Sequence, residues 1–147
     1  MAKYQHDPAD GPLKIVFFFS GGASSMKAVL ESEGQRKDYQ VVCSFTNASL
    51  EEAVGGYKVA HENEIEIEYI EPRKAASRQD FYETITERME KYEADVVGLS
   101  GWLRKYSLMC DPFLSEFSCR ILNVHPADLS IIYRPSLVGW CKRCGRF

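Results

Sequence analysis

The segment Leu13-Lys-Ile-Val-Phe-Phe-Phe19 holds a single charged residue among apolar ones and ends abruptly at Ser20-Gly21-Gly22. Unbroken apolarity, in place of alternation, marks a strand covered on both faces. Such a strand needs helices above and below it, and the chain supplies them. Ser25 to Glu33 puts Met26, Val29 and Leu30 on one helical face, with Gly34 as a stop. Tyr39 to Phe45 makes a second strand, ending at Thr46-Asn47. Glu51 to Glu62 reads as a helix, although Gly55-Gly56 count against it. Glu66 to Ile70 alternates, as an exposed or edge strand does, and stops before Pro72. Ser77 is placed to cap the next helix, along which Phe81, Ile85, Arg88 or Met89, and Tyr92 share a face. Asp95 to Leu99 is another buried strand, Asp111-Pro112 opens a short helix, and Cys119 to Val124 is the fifth strand. This alternation predicts an α/β fold: a Rossmann-like parallel sheet with helices on both faces.

A chain of 147 residues suits one such domain. Residues 1–12, with Asp7, Pro8, Asp10, Gly11 and Pro12, read as a flexible leader, residues 13–132 as the folded domain and residues 133–147 as a divergent tail. The net charge is −3 and no basic stretch exists to track a nucleic-acid backbone. The longest apolar run, Ile15 to Phe19, is too short to cross a bilayer, and the leader lacks the parts of a signal peptide. A cytoplasmic protein is the expectation. Cys43, Cys110 and Cys119 sit among apolar neighbours and read as buried free thiols. Cys141-Lys-Arg-Cys144 has half the ligands of a zinc site, with no second pair and no nearby His, so no metal is expected.

In parallel sheets ligands sit at the carboxyl edge of the strands. Three segments converge there: Ser20–Ser25, Ser100–Tyr106 and Asn123–Pro126. The first joins a buried strand to a helix start, where small residues let a ligand approach and backbone N–H groups favour an anion. A phosphate monoester fits it, although the segment matches neither a Walker loop nor the dinucleotide glycine spacing. Its plainer reading is a tight β–α turn closed by an ordinary serine cap. In Asn123-Val124-His125-Pro126, residues two apart on an extended strand point the same way. Asn123 and His125 therefore present an amide and an imidazole to one site, a pairing suited to holding an oxyanion and moving a proton near neutral pH. A lone histidine at a strand end is more often structural; the partner Asn and the facing Gly-Ser loop favour catalysis. Gly101-Trp-Leu-Arg-Lys-Tyr106 is able to wall a pocket for a flat heterocycle, or to serve only as a helix-entry loop.

Together, Lys14-Ile-Val with Ser20-Gly-Gly-Ala-Ser-Ser25, Ser77-Arg-Gln-Asp-Phe-Tyr82, Asp95-Val-Val-Gly-Leu-Ser-Gly-Trp-Leu-Arg104 and Arg120-Ile-Leu-Asn-Val-His-Pro126 resemble the folate-dependent formyltransferases. Within them the Ser-rich loop resembles the phosphoribosylglycinamide formyltransferase branch. The resemblance implies formyl transfer from 10-formyltetrahydrofolate to the amine of glycinamide ribonucleotide, in purine biosynthesis. It assigns the substrate phosphate to Gly22, Ala23, Ser24 and Ser25. It assigns the folate to Arg78, Leu103, Arg104, Lys105, Tyr106 and Asn123, and catalysis to Asn123 and His125. No metal, nucleic acid or membrane partner is implied.

The sequence also departs from that family. Ala23 and Ser25 replace a glycine and an amide usual in the phosphate loop, and alanine tolerates positive φ less well. The family's catalytic aspartate lies well beyond the histidine, whereas this chain ends 22 residues after His125, and Asp128 is no substitute. From about Ile131 the likeness fades, as a shifted reading frame or early stop would produce, and weak turnover is the expectation. An incomplete sheet with an open edge is also able to self-associate. Four alternatives stand beside this reading: a formyltetrahydrofolate deformylase-like hydrolase, a methionyl-tRNA formyltransferase, an ATP-pyrophosphatase-type adenylating enzyme, and an inactive ligand-binding remnant.

Overall fold

Leu13–Phe19 forms β1, the middle strand of a five-stranded parallel sheet. The computed structural model describes residues 7–34, 37–71, 74–102 and 120–123, with the backbone alone at Pro8, Arg78, Gln79, Tyr82 and Asn123. After β1 come α1 (Ser24–Glu33), β2 (Tyr39–Thr46), α2 (Val54–Glu62), β3 (Ile67–Tyr69), α3 (Arg78–Glu90), β4 (Val96–Ser100) and β5 (Ile121–Asn123). The strand order is β3-β2-β1-β4-β5. The Rossmann-like sheet expected from the alternation is the fold observed, and Glu66–Ile70 does contain the edge strand β3. The helix expected at Asp111-Pro112 lies outside the described residues.

β1 is apolar throughout because both its faces are buried. Val16 and Phe18 join the core beneath α3, with Phe45, Phe81, Ile85 and Met89. Phe17 and Phe19 join a second core with Met26 of α1 and Val59 and Ala60 of α2. The α3 side contains an aromatic chain: Phe18 stacks on Phe45 at 5.0 Å between centroids and meets Trp102 edge-on at 5.1 Å. On the other side, the Phe17 ring occupies the space a side chain at Gly98 would need. A Cβ there would lie 2.4 Å from Phe17 Cε1. β2 changes face part-way. Ile15 pairs with Val41 but Val16 with Cys43, so Val42 is an extra residue, a β-bulge. Val41 therefore packs on the α1–α2 side, and Cys43 and Phe45 under α3.

α3 is capped by its own sequence. Ser77 Oγ accepts from the Asp80 N–H at 3.0 Å, and Asp80 Oδ2 accepts from the Ala76 N–H at 2.8 Å. Its buried stripe is Phe81, Ile85 and Met89. Arg88, the other candidate for that stripe, instead donates to Glu68 at 3.0 Å.

α2 starts later than expected, at Val54 rather than Glu51. Ser49 and Glu52 close a separate turn first, the Ser49 N–H donating to Glu52 Oε2 at 2.8 Å. Gly55 and Gly56 then lie where α2 presses on the loop after β1. A Cβ on Gly56 would stand 2.5 Å from the Gly21 carbonyl oxygen and 2.4 Å from the Phe19 ring. The glycine pair thus weakens the helix locally because the packing leaves no room for side chains.

Cys43 is a buried free thiol, as expected, and burial pushes its pKa from 9.0 up to about 12. Burial also raises the pKa of Tyr92, whose hydroxyl donates to Glu68 at 2.8 Å. Both groups belong to the packing around α3. Cys110, Cys119, Cys141 and Cys144 lie outside the described residues.

Candidate active site

The chain builds outward from β1 to β2 and β3, then crosses to the other side for β4 and β5. The order reverses between β1 and β4, and sheets of this kind hold their ligands at the carboxyl edge beside such a reversal. The buried polar residues Ser20, Thr46 and Ser100 stand at the ends of the three central strands. Thr46 Oγ1 donates to the Phe19 carbonyl at 2.8 Å, and Ser20 Oγ donates to Asn47 Oδ1 at 2.7 Å. From sequence, Thr46 and Asn47 mark only the end of a strand. Their signal was the Thr-Asn pair closing an apolar run at the same edge.

The start of α1 is built differently from that of α3. Its N-cap is Ala23, in the left-handed region at φ 53°, ψ 39°, and no side chain caps the helix. Neither serine is the cap that the plainer reading supposed. The loop keeps a positive-φ turn at the position where alanine pays for it, at about 1–2 kcal/mol. Ser100 Oγ, from the end of β4, accepts from the Met26 N–H at 3.1 Å. Lys27 N–H already reaches the Ala23 carbonyl at 3.0 Å. Among the described residues no acceptor takes the N–H of Ser24 or Ser25, and no acidic residue occupies the first turn. Two donors and the positive end of the helix dipole are left for an anion. Gly22 and Ser24 are exposed, Ser25 half-buried and Ala23 buried in the core.

The other predicted residues are placed in part. Asn123 ends β5 and pairs in register with Leu99, which pairs with Phe18 of β1. Its backbone is therefore on the carboxyl edge, two strands from β1, roughly 10 Å at ordinary strand spacing. Arg78 is the first residue of α3. His125, Leu103, Arg104, Lys105 and Tyr106 lie outside the described residues. A separate cleft of about 210 Å³ lies between the end of β3 and α3, lined by Glu71, Lys74, Asp80 and Arg88 among others. Each of those charges has a protein partner: Lys74 with Glu71, Asp80 with Ala76, Arg88 with Glu68. Among the described residues no cluster of His, Cys, Asp or Glu suits a metal ion, and no helix is long and apolar enough to cross a membrane.

Comparison with known proteins settles the family. The formyl transferase family model matches residues 13–130, which span all five strands. This chain belongs to the formyl transferase family. It is similar to the phosphoribosylglycinamide formyltransferase of Bacillus subtilis (24% identical over 136 residues, covering 90% of this chain and 65% of that one). It is also similar to the bovine trifunctional purine biosynthetic protein adenosine-3 (26% identical over 117 residues, covering 79% of this chain and 11% of that one). Among solved structures it superposes on glycinamide ribonucleotide transformylase 1 from Symbiobacterium toebii with a TM-score of 0.72 at 26% identity, covering 92% of this chain and 61% of that one. The chain thus spans about two thirds of the length of the single-activity relatives and a small part of the trifunctional one. The formyltransferase fold and the sequence resemblance agree.

Proposed function

We propose that this formyl transferase chain moves a formyl group from 10-formyltetrahydrofolate to the amine of glycinamide ribonucleotide. The observation that carries the proposal is the start of α1. No side chain caps it, the N–H groups of Ser24 and Ser25 have no acceptor among the described residues, and it follows β1 at the carboxyl edge, where the strand order reverses. A phosphate monoester satisfies both donors and the helix dipole. Gly22 leaves the backbone bare for its approach, and the Ser24 and Ser25 hydroxyls add donors.

The substrate amine is the nucleophile, and it attacks the donor's formyl carbon. The chain's part is to align the two substrates and to stabilise charge. The Asn123 amide donates to the developing oxyanion, and His125 moves the proton from the attacking amine toward the departing folate nitrogen. Arg78, Leu103, Arg104, Lys105 and Tyr106 hold the folate. No step calls for a metal.

The test is calorimetric titration with glycinamide ribonucleotide and with 10-formyltetrahydrofolate, followed by a formyl-transfer assay of the wild type and Asn123→Ala. Both ligands are expected to bind, inorganic phosphate competing with the ribonucleotide alone. Any turnover is expected to fall about 100-fold or more in the variant, as for loss of an oxyanion donor. Absence of binding by either ligand sinks the proposal. Loss of formyl from the folate without an amine acceptor identifies a hydrolase instead.

A further inference from the structure

β1 runs directly into the phosphate loop, and three consecutive residues at that exit are held by groups from β2 and α2. Thr46 Oγ1 donates to the Phe19 carbonyl at 2.8 Å, Ser20 Oγ donates to Asn47 Oδ1 at 2.7 Å, and the Gly56 N–H donates to the Gly21 carbonyl at 3.0 Å. Phe19 pairs in register with Thr46, so Ser20 and Asn47 are the first residues past the ends of two adjacent strands.

Asn47 is itself fixed by its neighbours. The Ala48 N–H donates to Thr46 Oγ1 at 3.2 Å, and the Tyr57 hydroxyl donates to the Ala48 carbonyl at 3.0 Å. Tyr57, on α2, packs edge-on against Phe19 at 5.8 Å between centroids, which closes the circuit back to β1. Ser20 and Ala48 are buried and Asn47 half-buried, so water competes poorly for the Ser20–Asn47 bond. At the far end of the loop, Ser100 Oγ accepts from the Met26 N–H. Gly22 to Ser25 thus span two fixed points. A short span tied at both ends has few conformations to lose, and a site already ordered binds its ligand at lower entropic cost.

We infer that Asn47 is a positioning residue for the phosphate loop. By accepting from Ser20 it directs the chain that leaves β1, and with it the aim of the Ser24 and Ser25 N–H groups, without touching the substrate. The inference rests on the proposed function and deepens it. Part of the affinity for the ribonucleotide then resides in the turn after β2, a segment outside the Gly-Ser loop.

The experiment is calorimetric titration of the wild type, Ser20→Ala, Asn47→Ala and the double variant with glycinamide ribonucleotide, inorganic phosphate and 10-formyltetrahydrofolate. Each single change is expected to weaken ribonucleotide and phosphate binding roughly 3- to 10-fold, the worth of one hydrogen bond, and to leave folate binding unchanged. The double variant should bind the ribonucleotide no more than about 2-fold more weakly than the weaker single, because both changes break one bond. Wild-type ribonucleotide affinity in Asn47→Ala overturns the inference and leaves the proposed function standing. So does a double variant whose loss is the product of the single losses, or an equal loss for the folate, which marks a general effect on the fold. Nitrogen-15 NMR of the wild type adds a measurement independent of any variant's folding. Phosphate should move the Ser24 and Ser25 amide protons downfield and leave the Asn47 side-chain amide in place. An Asn47 amide that moves as far as theirs makes it a ligand contact and overturns the positioning role. Failure of the wild type to bind either the ribonucleotide or phosphate overturns both the inference and the proposed function.

Discussion

Replacing Gly56 by alanine sets two effects of opposite sign against each other. In an exposed helix the change gains about 1 kcal/mol from propensity. In α2 the new Cβ would stand 2.4 Å from Phe19 Cδ2 and 2.5 Å from the Gly21 carbonyl oxygen. Ordinary carbon contacts lie near 3.5–4.0 Å, so both overlaps exceed what small adjustments absorb. Neither neighbour has room to yield. Phe19 is fully buried and packed edge-on against Tyr57, and Gly21 is backbone tied by the Gly56 N–H at 3.0 Å. Overpacking of this kind costs about 3 kcal/mol, leaving a net loss of about 2 kcal/mol after the propensity gain. For a domain of this size the loss lowers the melting temperature by roughly 6 °C. The assay is urea and thermal unfolding of Gly56→Ala beside Gly34→Ala. Gly34 has φ −61° and open space around its would-be Cβ, so that control should hold or gain up to about 1 kcal/mol. Should Gly56→Ala prove as stable as the wild type, close approach is not the reason for the glycine. Because Gly56 holds Gly21 in place, the variant should also bind glycinamide ribonucleotide more weakly.

Three further outcomes follow from the packing. Ser100→Ala strips the Met26 N–H of its acceptor inside the core and should cost about 1–3 kcal/mol in urea unfolding. Ser77→Ala removes an exposed cap from α3 and should cost about 1 kcal/mol by the same assay. If Ser77→Ala proves the costlier of the two, the role given to Ser100 is wrong. Cys43 keeps its proton in the folded protein up to about pH 12, whereas the unfolded chain loses it near 9.0. Its stabilisation is therefore complete below pH 9.0 and declines as pH rises through that window. The stability difference between wild type and Cys43→Ala should shrink from pH 8.5 to 11, and peptide mapping should find Cys43 unalkylated at pH 8 until urea is added.

Strands were legible wherever burial on both faces removed alternation. β1 was expected over Leu13–Phe19 and occupies that span, because packing on two sides leaves no solvent face to carry polar residues. α3 was legible for the converse reason: it shows one wet face, one dry face and a local cap. α2 begins three residues after the expected Glu51 because Ser49 and Glu52 resemble a helix start and serve a separate turn. No local pattern could reveal why Gly55 and Gly56 stand in a helix, since the cause is a loop more than thirty positions earlier in the chain, at Gly21 and Gly22. The candidate site divided in the same way. The Gly-Ser loop could be recognised from its place after a buried strand. That Ala23 caps α1 and that Ser100 takes the Met26 N–H depend on strand order, which periodicity does not encode.

The fit between Phe17 and Gly98 limits how this sheet can change over time. Two adjacent strands share one allotment of volume, nearly all of it held by the ring. A larger residue at 98 is tolerated only if 17 shrinks first, and a smaller residue at 17 opens a hole that 98 alone can refill. The two sites behave as a single inherited unit. Their substitutions should be strongly non-additive in a double-mutant cycle, and among descendants of this chain a side chain at 98 should accompany a small residue at 17.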